Sequence, residues 1–249
     1  MRKLPFSILK RLNLWFRRDY SLVKRQGLYW VLNKNNWIDN RLLCFRGYEA
    51  KNVKLLKHIL STHQFDSFYD IGANIGFFTL HVARWKCVTH IHAFEPIARN
   101  YNQLCANVLV NGFSQSVIAH KYALSDVNAD IPIHYNLQST GIATLNPEKT
   151  QRSEKDYEIC ETIQSIRFDD VHTPKDQICF VKMDVEQHEV QALSGMKKFF
   201  ARNKVALILE INHKDTEIET CLKKLGLTQI DAPTDTDDYI FANFDLQIS

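Results

Sequence analysis

The chain has no run of eighteen apolar residues, and its longest stretch free of formal charge, Asn100 to His120, is broken throughout by Asn, Gln and Ser. A membrane-spanning helix is therefore not expected. The six cysteines, Cys44, Cys87, Cys105, Cys160, Cys179 and Cys221, form no Cys-x-x-Cys pair and never come closer than eighteen positions. Several sit in apolar surroundings such as Ile178-Cys179-Phe180, where a reduced thiol serves as a small hydrophobe. That pattern points to a reducing compartment and to no zinc site. Lys10 and Arg11 cut the apolar run of Met1 to Phe16 and no small-residue cleavage site follows, so a secretory leader is not expected and a cytoplasmic location is. Glycine is also scarce, at eight in 249 residues, and two of the eight fall in one turn.

What is present suits a globular protein. With 45% hydrophobic and 24% charged residues, 249 residues can bury one large core. The net charge of +3 hides an asymmetry. Met1 to Gln26 carries Arg2, Lys3, Lys10, Arg11, Arg17, Arg18, Lys24 and Arg25 against Asp19 alone, a net +7, so the remainder is −4. Leu4, Ile8, Leu12, Trp15 and Phe16 fall at helical spacing in this segment. It reads as a helix packed on the main domain with a solvated basic back, and peripheral contact with an anionic membrane is the alternative.

Further along, short apolar runs alternate with amphipathic stretches and no repeat or linker divides them. Ser67 to Ile71, His90 to Phe94, Val117 to Lys121, Cys179 to Asp184 and Val205 to Ile211 read as parallel strands. Phe77 to Trp85, Ile97 to Val110, Glu189 to Ala201 and Thr216 to Leu225 read as crossover helices, the last stopped by Gly226. The alternation predicts an α/β, doubly wound, mostly parallel sheet. Leu227 to Asp231 and Asp238 to Phe244 flank a turn-rich stretch and predict a terminal antiparallel hairpin. Ile131 to Tyr135 and Tyr157 to Ile163 read as strands around a polar loop, Asn136 to Asp156. Leu28 to Leu32 and Arg41 to Phe45 read as additional strands, followed by a helix from Glu49 to Leu60.

Three strand tips carry the chemistry. Phe68-Tyr69-Asp70-Ile71-Gly72-Ala73-Asn74-Ile75-Gly76-Phe77-Phe78 is a hydrophobic strand ending in an acid and a glycine turn that opens a helix. Glycine there permits positive φ and close approach of a ligand, and the helix N-terminus offers N–H groups. Glu95 follows the next strand by one residue, where an acid accepts hydrogen bonds from the two hydroxyls of a ribose. The dinucleotide fingerprint Gly-x-Gly-x-x-Gly is absent, so an adenosine without a pyrophosphate fits better. At the third, the tip of the fourth parallel strand, Asp184, Glu186, His188 and Glu189 crowd into six positions, enough for a general base beside a reactive hydroxyl. Glu189 has a simpler role, since an acid in a first helical turn favours the helix dipole.

Phe68 to Phe78, Ala93-Phe94-Glu95-Pro96, Ala123-Leu124-Ser125-Asp126 and Asp184-Val185-Glu186-Gln187-His188-Glu189 together resemble the successive motifs of the FkbM-type S-adenosylmethionine-dependent methyltransferases. The likeness runs from about Gly47 to Ile211, includes Gly47-Tyr48-Glu49 and Phe168-Asp169-Asp170, and leaves residues 1–46 as an accessory segment before a methyltransferase domain at 47–249. The resemblance implies a Rossmann-like class I methyltransferase fold with a seven-stranded sheet. It implies that Asp70, Gly72, Ala73, Asn74 and Gly76 cradle the methionine part of S-adenosylmethionine, that Glu95, with Pro96 beside it, holds the ribose, and that Ala123, Leu124, Ser125 and Asp126 border the adenine. Asp184 stands at the cofactor and at the reacting groups.

The implied reaction is methyl transfer to a hydroxyl of a sugar, glycan or other small metabolite. His188, whose ordinary pKa near 6.5 suits proton removal, is the expected base, with Asp184 or Glu186 orienting it or the acceptor. A metal held by Asp184, Glu186 and His188 is the lesser alternative, and none is expected. Gln187 departs from the family's usual glycine. Trp30, Trp37, Tyr48 and Tyr135 either line a sugar site or pack. The chain lacks the Asn/Asp-Pro-Pro-aromatic tip used on exocyclic amines, and acids at the fourth tip repel a phosphate backbone, which disfavours a nucleic-acid substrate. A catalytically silent adenosine-binding module is the alternative from another functional class.

Overall fold

The computed structural model describes residues 19–45, 48–145, 157–211, 216–230 and 238–248. In chain order it begins with β1 (Tyr20–Arg25), β2 (Leu28–Asn33), α1 (Trp37–Cys44), α2 (Ala50–Thr62), β3 (Ser67–Ile71), α3 (Phe77–Trp85), β4 (His90–Phe94), α4 (Ala98–Val110) and β5 (Val117–His120). Next come β6 (Ala123–Leu124), β7 (Ala129–Asn136), β8 (Ser139–Thr144), β9 (Ile159–Ile166), α5 (Phe168–Val171) and β10 (Ile178–Met183). The remaining elements are α6 (Glu189–Ser194), α7 (Lys197–Arg202), β11 (Lys204–Glu210), α8 (Thr216–Lys224), β12 (Thr228–Ile230) and β13 (Asp238–Ala242). The basic helix expected in the first sixteen residues, Gly47 and most of the turn of the terminal hairpin lie outside the described residues.

Seven strands form the central sheet in the order β12-β13-β11-β10-β3-β4-β5. β11, β10, β3, β4 and β5 run parallel, and β13 is antiparallel to both neighbours. This is the expected Rossmann-like, doubly wound sheet with its antiparallel hairpin. Parallel strands put all their C-terminal ends at one edge, so the tips of β3, β4, β10 and β11 face a common space. Side-chain alternation fills both faces. Phe68, Phe180, Ala206 and Ile208 enter one core with Trp30, Leu56 and Phe77. Tyr69, Ile71, Val181, Met183, Leu207 and Leu209 enter the other.

The hairpin β1–β2 is tied into the first core. Trp30 is fully buried and stacks on Phe77 at 5.8 Å between centroids. Val31 N–H donates to Asn107 Oδ1 at 2.7 Å, and Gln103 Nε2 donates to the Val31 carbonyl at 2.8 Å, which fixes the hairpin to α4. Lys24 and Arg25, the end of the basic segment, lie in β1.

Three expectations are corrected. Arg41 to Phe45 is not a strand; it ends α1 and leads into its cap. The apolar Leu42-Leu43-Cys44-Phe45 imitates a buried strand, but Asn36 accepts from the Ile38 and Asp39 N–H groups and starts a helix. Glu189 to Ala201 is not one helix. It is α6 and α7, separated where a Cβ on Gly195 would stand 2.0 Å from the Ser125 carbonyl oxygen. Asn136 to Asp156 is not only loop, because Ser139–Thr144 pairs with β7 as an added strand. It belongs to a second sheet, β6-β9-β7-β8, whose β8 end approaches β10 through Thr144 Oγ1 and the Glu186 carbonyl, 3.4 Å apart.

Among the described residues no helix is long and apolar enough to cross a membrane.

Candidate active site

The four strand tips and the second sheet enclose a cavity of about 510 Å³. That volume is in the range of small-molecule and cofactor sites. Asp70, Gly72, Ala73, Asn74, Glu95, Pro96, Ala123, Leu124, Asp184, Glu186 and His188 all line it. Gly76, Ser125 and Asp126 do not.

The turn after β3 is built by strain that only glycine carries cheaply. Gly72 has φ +79°, and a Cβ there would meet the Asp184 carbonyl oxygen at 1.9 Å, so this glycine lets the β3 and β10 tips close up. Gly76, at φ +85°, lies against Leu104 and Leu80 behind the turn. Four of the turn's N–H groups are already engaged within the protein. Gly72 and Ala73 both donate to the Phe94 carbonyl at 3.0 and 2.9 Å, Asn74 donates to Glu95, and Gly76 donates to Ala73. Recognition at this turn falls to side chains. Asn74 Oδ1 is the clearest candidate, since it is buried without a hydrogen-bond partner.

Glu95 is fixed at the β4 tip. Its Oε1 accepts from Ile97 N–H and its Oε2 from Asn74 N–H, both at 2.9 Å, and Asn100 adds a longer bond of 3.4 Å to Oε1. Burial pushes its carboxyl up to about 7 against those hydrogen bonds. Asp70 is buried behind the turn, where Oδ2 accepts from Thr79 N–H at 2.9 Å and from its hydroxyl at 2.5 Å. Burial raises it, and Lys182 and Thr79 oppose the rise.

At the β10 tip, Lys182 is buried with its Nζ 3.1 Å from Asp184 Oδ2 and 5.1 Å from the centre of the Phe78 ring. Burial pulls its ammonium down, but Asp184 and Asp70 more than offset that and hold it above the ordinary lysine range. Glu210, Asp238 and Glu49 line the same end of the cavity. β11 and β13 pair Glu210 directly with Asp238. The charge of Asp184, then burial, pushes Glu210 up to about 8. One ammonium thus stands among several carboxylates, and the Asp184 side chain is about a third exposed into the cavity.

His188 is buried at the start of α6, with Nε2 3.0 Å from Ser125 Oγ. Ser125 Oγ in turn donates to Asp126 Oδ1 at 3.2 Å, so its oxygen accepts from His188 and the ring proton sits on Nε2. Ser125 therefore bonds the histidine behind the wall that Ala123 and Leu124 form. Of the four aromatics, Tyr48 lines the cavity, Trp30 and Tyr135 are buried, and Trp37 is exposed beneath the Arg41 guanidinium.

Glu186 and Gln187 both adopt positive φ, +48° and +72°. An L side chain there costs about 1–2 kcal/mol. Gln187→Gly is expected to raise the unfolding free energy by about 1 kcal/mol in urea titration, allowing for the unfolded-state entropy that glycine adds. An unchanged or lower value would show that the glutamine side chain offsets the strain.

Lys182, Glu210, Asp238, Glu49, Asn52 and Tyr122 are cavity residues that the sequence reading missed. Lys182 had a signal, a lone charge inside Cys179-Phe180-Val181-Lys182-Met183. Glu210 had one too, because it ends its strand in an acid much as Asp184 follows β10. Asp238 had none, since only the register of β13 brings it there.

Two relatives and one solved structure are similar to the chain. Methyltransferase sdnD of Sordaria araneosa is 31% identical over 106 residues, 39% of this chain and 41% of that protein. Hexuronic acid methyltransferase AglP of Haloferax volcanii is 30% identical over 135 residues, 53% of this chain and 50% of that protein. The chain spans half or less of the length of these relatives. The crystal structure of a methyltransferase FkbM from Methylobacillus flagellatus KT aligns over 72% of this chain and 44% of that one, at 16% identity and a TM-score of 0.47. The family model of the methyltransferase FkbM domain matches residues 70–242, from Asp70 in β3 to the end of β13. That match takes in all four strand tips and well over half of the sequence, and the chain belongs to the methyltransferase FkbM domain family.

Proposed function

We propose that the chain transfers a methyl group from S-adenosylmethionine to a hydroxyl oxygen of a sugar or other small hydroxylated metabolite. The observation that carries this reading is the union, in one cavity, of the β4-tip acid Glu95 with the carboxylate cluster around Lys182. Glu95 suits a ribose diol, the apolar wall of Ile97, Ala123, Leu124 and Ile133 suits a flat base, and the unpartnered Asn74 Oδ1 suits a donor on the amino-acid end. Excess negative charge at the β10 and β11 tips favours a cationic sulfonium and disfavours a phosphate-bearing acceptor. The cofactor supplies, when bound, an electrophilic methyl on sulfur. The chain supplies alignment and a proton acceptor.

Glu210 is the group we assign to that proton. A carboxylate whose pKa is lifted toward 8 by Asp184 is a stronger base than an ordinary one, and it faces the cavity. With the cofactor bound, Glu210 would take the proton of the acceptor hydroxyl as that oxygen received the methyl group. Asp184 and Glu186 orient the acceptor. His188, the base expected from sequence, takes a positioning role through Ser125. The hexuronic acid named for the AglP relative supports the sugar class.

Calorimetric titration with S-adenosylmethionine and S-adenosylhomocysteine tests the cofactor assignment. Glu95→Ala is expected to weaken binding on the order of 100-fold, through loss of charge-assisted hydrogen bonds to two hydroxyls. No binding by the wild-type chain overturns the assignment. Binding without turnover across a panel of hydroxylated acceptors would favour the silent module.

A further inference from the structure

Three histidines converge outside the cavity, where no part of the proposed chemistry uses them. His92 lies in β4, His120 ends β5 and His172 follows α5. Each offers a ring nitrogen, and the three nitrogens lie within 4.8 Å of one another. His92 Nδ1 is 3.0 Å from His120 Nε2, while Tyr122 Oη is 3.3 Å from His120 Nδ1 and 3.2 Å from His172 Nε2. A nitrogen–nitrogen contact of 3.0 Å holds a single proton, so at least one of those rings is neutral, the form that binds metals.

The rings are held before any ligand arrives. His92 stacks on Tyr69 at 5.2 Å, His120 on Phe94 at 4.6 Å and His172 on Phe168 at 4.9 Å. Three half-buried imidazoles turned toward one another gain little that apolar side chains would not gain better. A tetrahedral zinc ion with bonds of 2.0–2.1 Å separates its nitrogens by about 3.3 Å, which the spacings of this cluster bracket. His120 already has the posture of a ligand, one nitrogen turned into the cluster and the other hydrogen-bonded to a phenol behind it.

We propose that His92, His120 and His172 bind one divalent transition-metal ion of the zinc class, with a solvent oxygen in the fourth position. Tyr122 orients His120 from behind. The ion ties β4, β5 and the segment after α5 together, directly behind Phe94 and Tyr122 in the cavity wall. Its role is structural. The proposal stands independently of the methyl-transfer reading.

The test uses the full chain, purified without a histidine tag and stripped with chelator. Titration with Co²⁺ is expected to give one equivalent of bound ion with the visible absorption of a tetrahedral site, and Zn²⁺ is expected to displace it. His172→Ala and His92→Phe should weaken binding at least ten-fold, while His134→Ala, whose ring lies 3.9 Å from Cys160 Sγ, should leave it unchanged. X-ray absorption on the zinc-loaded wild type removes dependence on the variants' folding, and imidazole scattering from about three rings is the expected result. Absence of a saturable cobalt signal, a signal that only His134→Ala removes, or a zinc site without imidazole scattering overturns the proposal.

Discussion

Lys182→Met is expected to cost about 3–5 kcal/mol of unfolding free energy at neutral pH, because removing one member of a buried charge group leaves the others uncompensated. Lys182 is 7% exposed, and Asp70, 1% exposed, is hydrogen-bonded by Thr79 and feels the lysine's charge through space. Methionine fills much of the same space beside Phe78, so the loss reports charge more than volume. Urea denaturation measures it. The deficit should shrink as the pH falls and the carboxyls take up protons. Adding Asp184→Asn should recover part of it, giving a coupling energy above about 1 kcal/mol in the double-mutant cycle. A single-variant cost below about 1 kcal/mol would mean that water reaches the carboxylates once the lysine is gone.

Glu210→Gln is expected to reduce turnover by about a hundred- to ten-thousand-fold with cofactor affinity changed by only a few-fold, the signature of a lost general base. The pH profile of the wild-type enzyme should rise with an apparent pKa near 8. Asp184 is the first cause of that value, so Asp184→Asn should move the rising limb downward, toward the ordinary glutamate range. His188→Ala should leave the limb where it is. A limb that instead follows His188 would return the base role to the histidine. Stability carries the same sign. Glu210 binds its proton more tightly in the folded chain than its ordinary 4.5, so its contribution is complete below that value and is lost as the pH rises through about 8. The glutamine variant should lack this part of the pH dependence.

Much of this arrangement was legible before any coordinates, and for a physical reason. Strands β3, β4, β10 and β11 are buried on both faces, so their apolar runs end abruptly where the chain meets the cavity; Asp70, Glu95 and Asp184 were read at three of those ends, and Glu210, at the end of β11, was passed over. The positive φ at residue 187 was legible as well, because glutamine stood where the related pattern has glycine. What escaped depended on distance in space. Nothing near Asp238 announces that β13 will slide between β11 and β12 and set it opposite Glu210. The helix at Trp37–Cys44 was misread because its cap, Asn36, lies outside the apolar run that suggested a strand. The spent N–H groups of Gly72 and Ala73 depend on the Phe94 carbonyl, which belongs to the neighbouring strand.

The pairing of β3 with β10 also governs how the molecule comes together in time. These neighbours at the middle of the sheet are bridged by Ile178 N–H and Asp66 Oδ2, which are 112 positions apart in the chain. Closing so large a loop carries an entropic debt before any contact returns it, and topologies rich in such contacts fold slowly. The glycine turn and the acids of the β10 tip therefore meet late, and the pocket between them is a reporter of completed folding. A ligand that binds only there would trap the finished chain and slow its opening, more than it would hasten its formation.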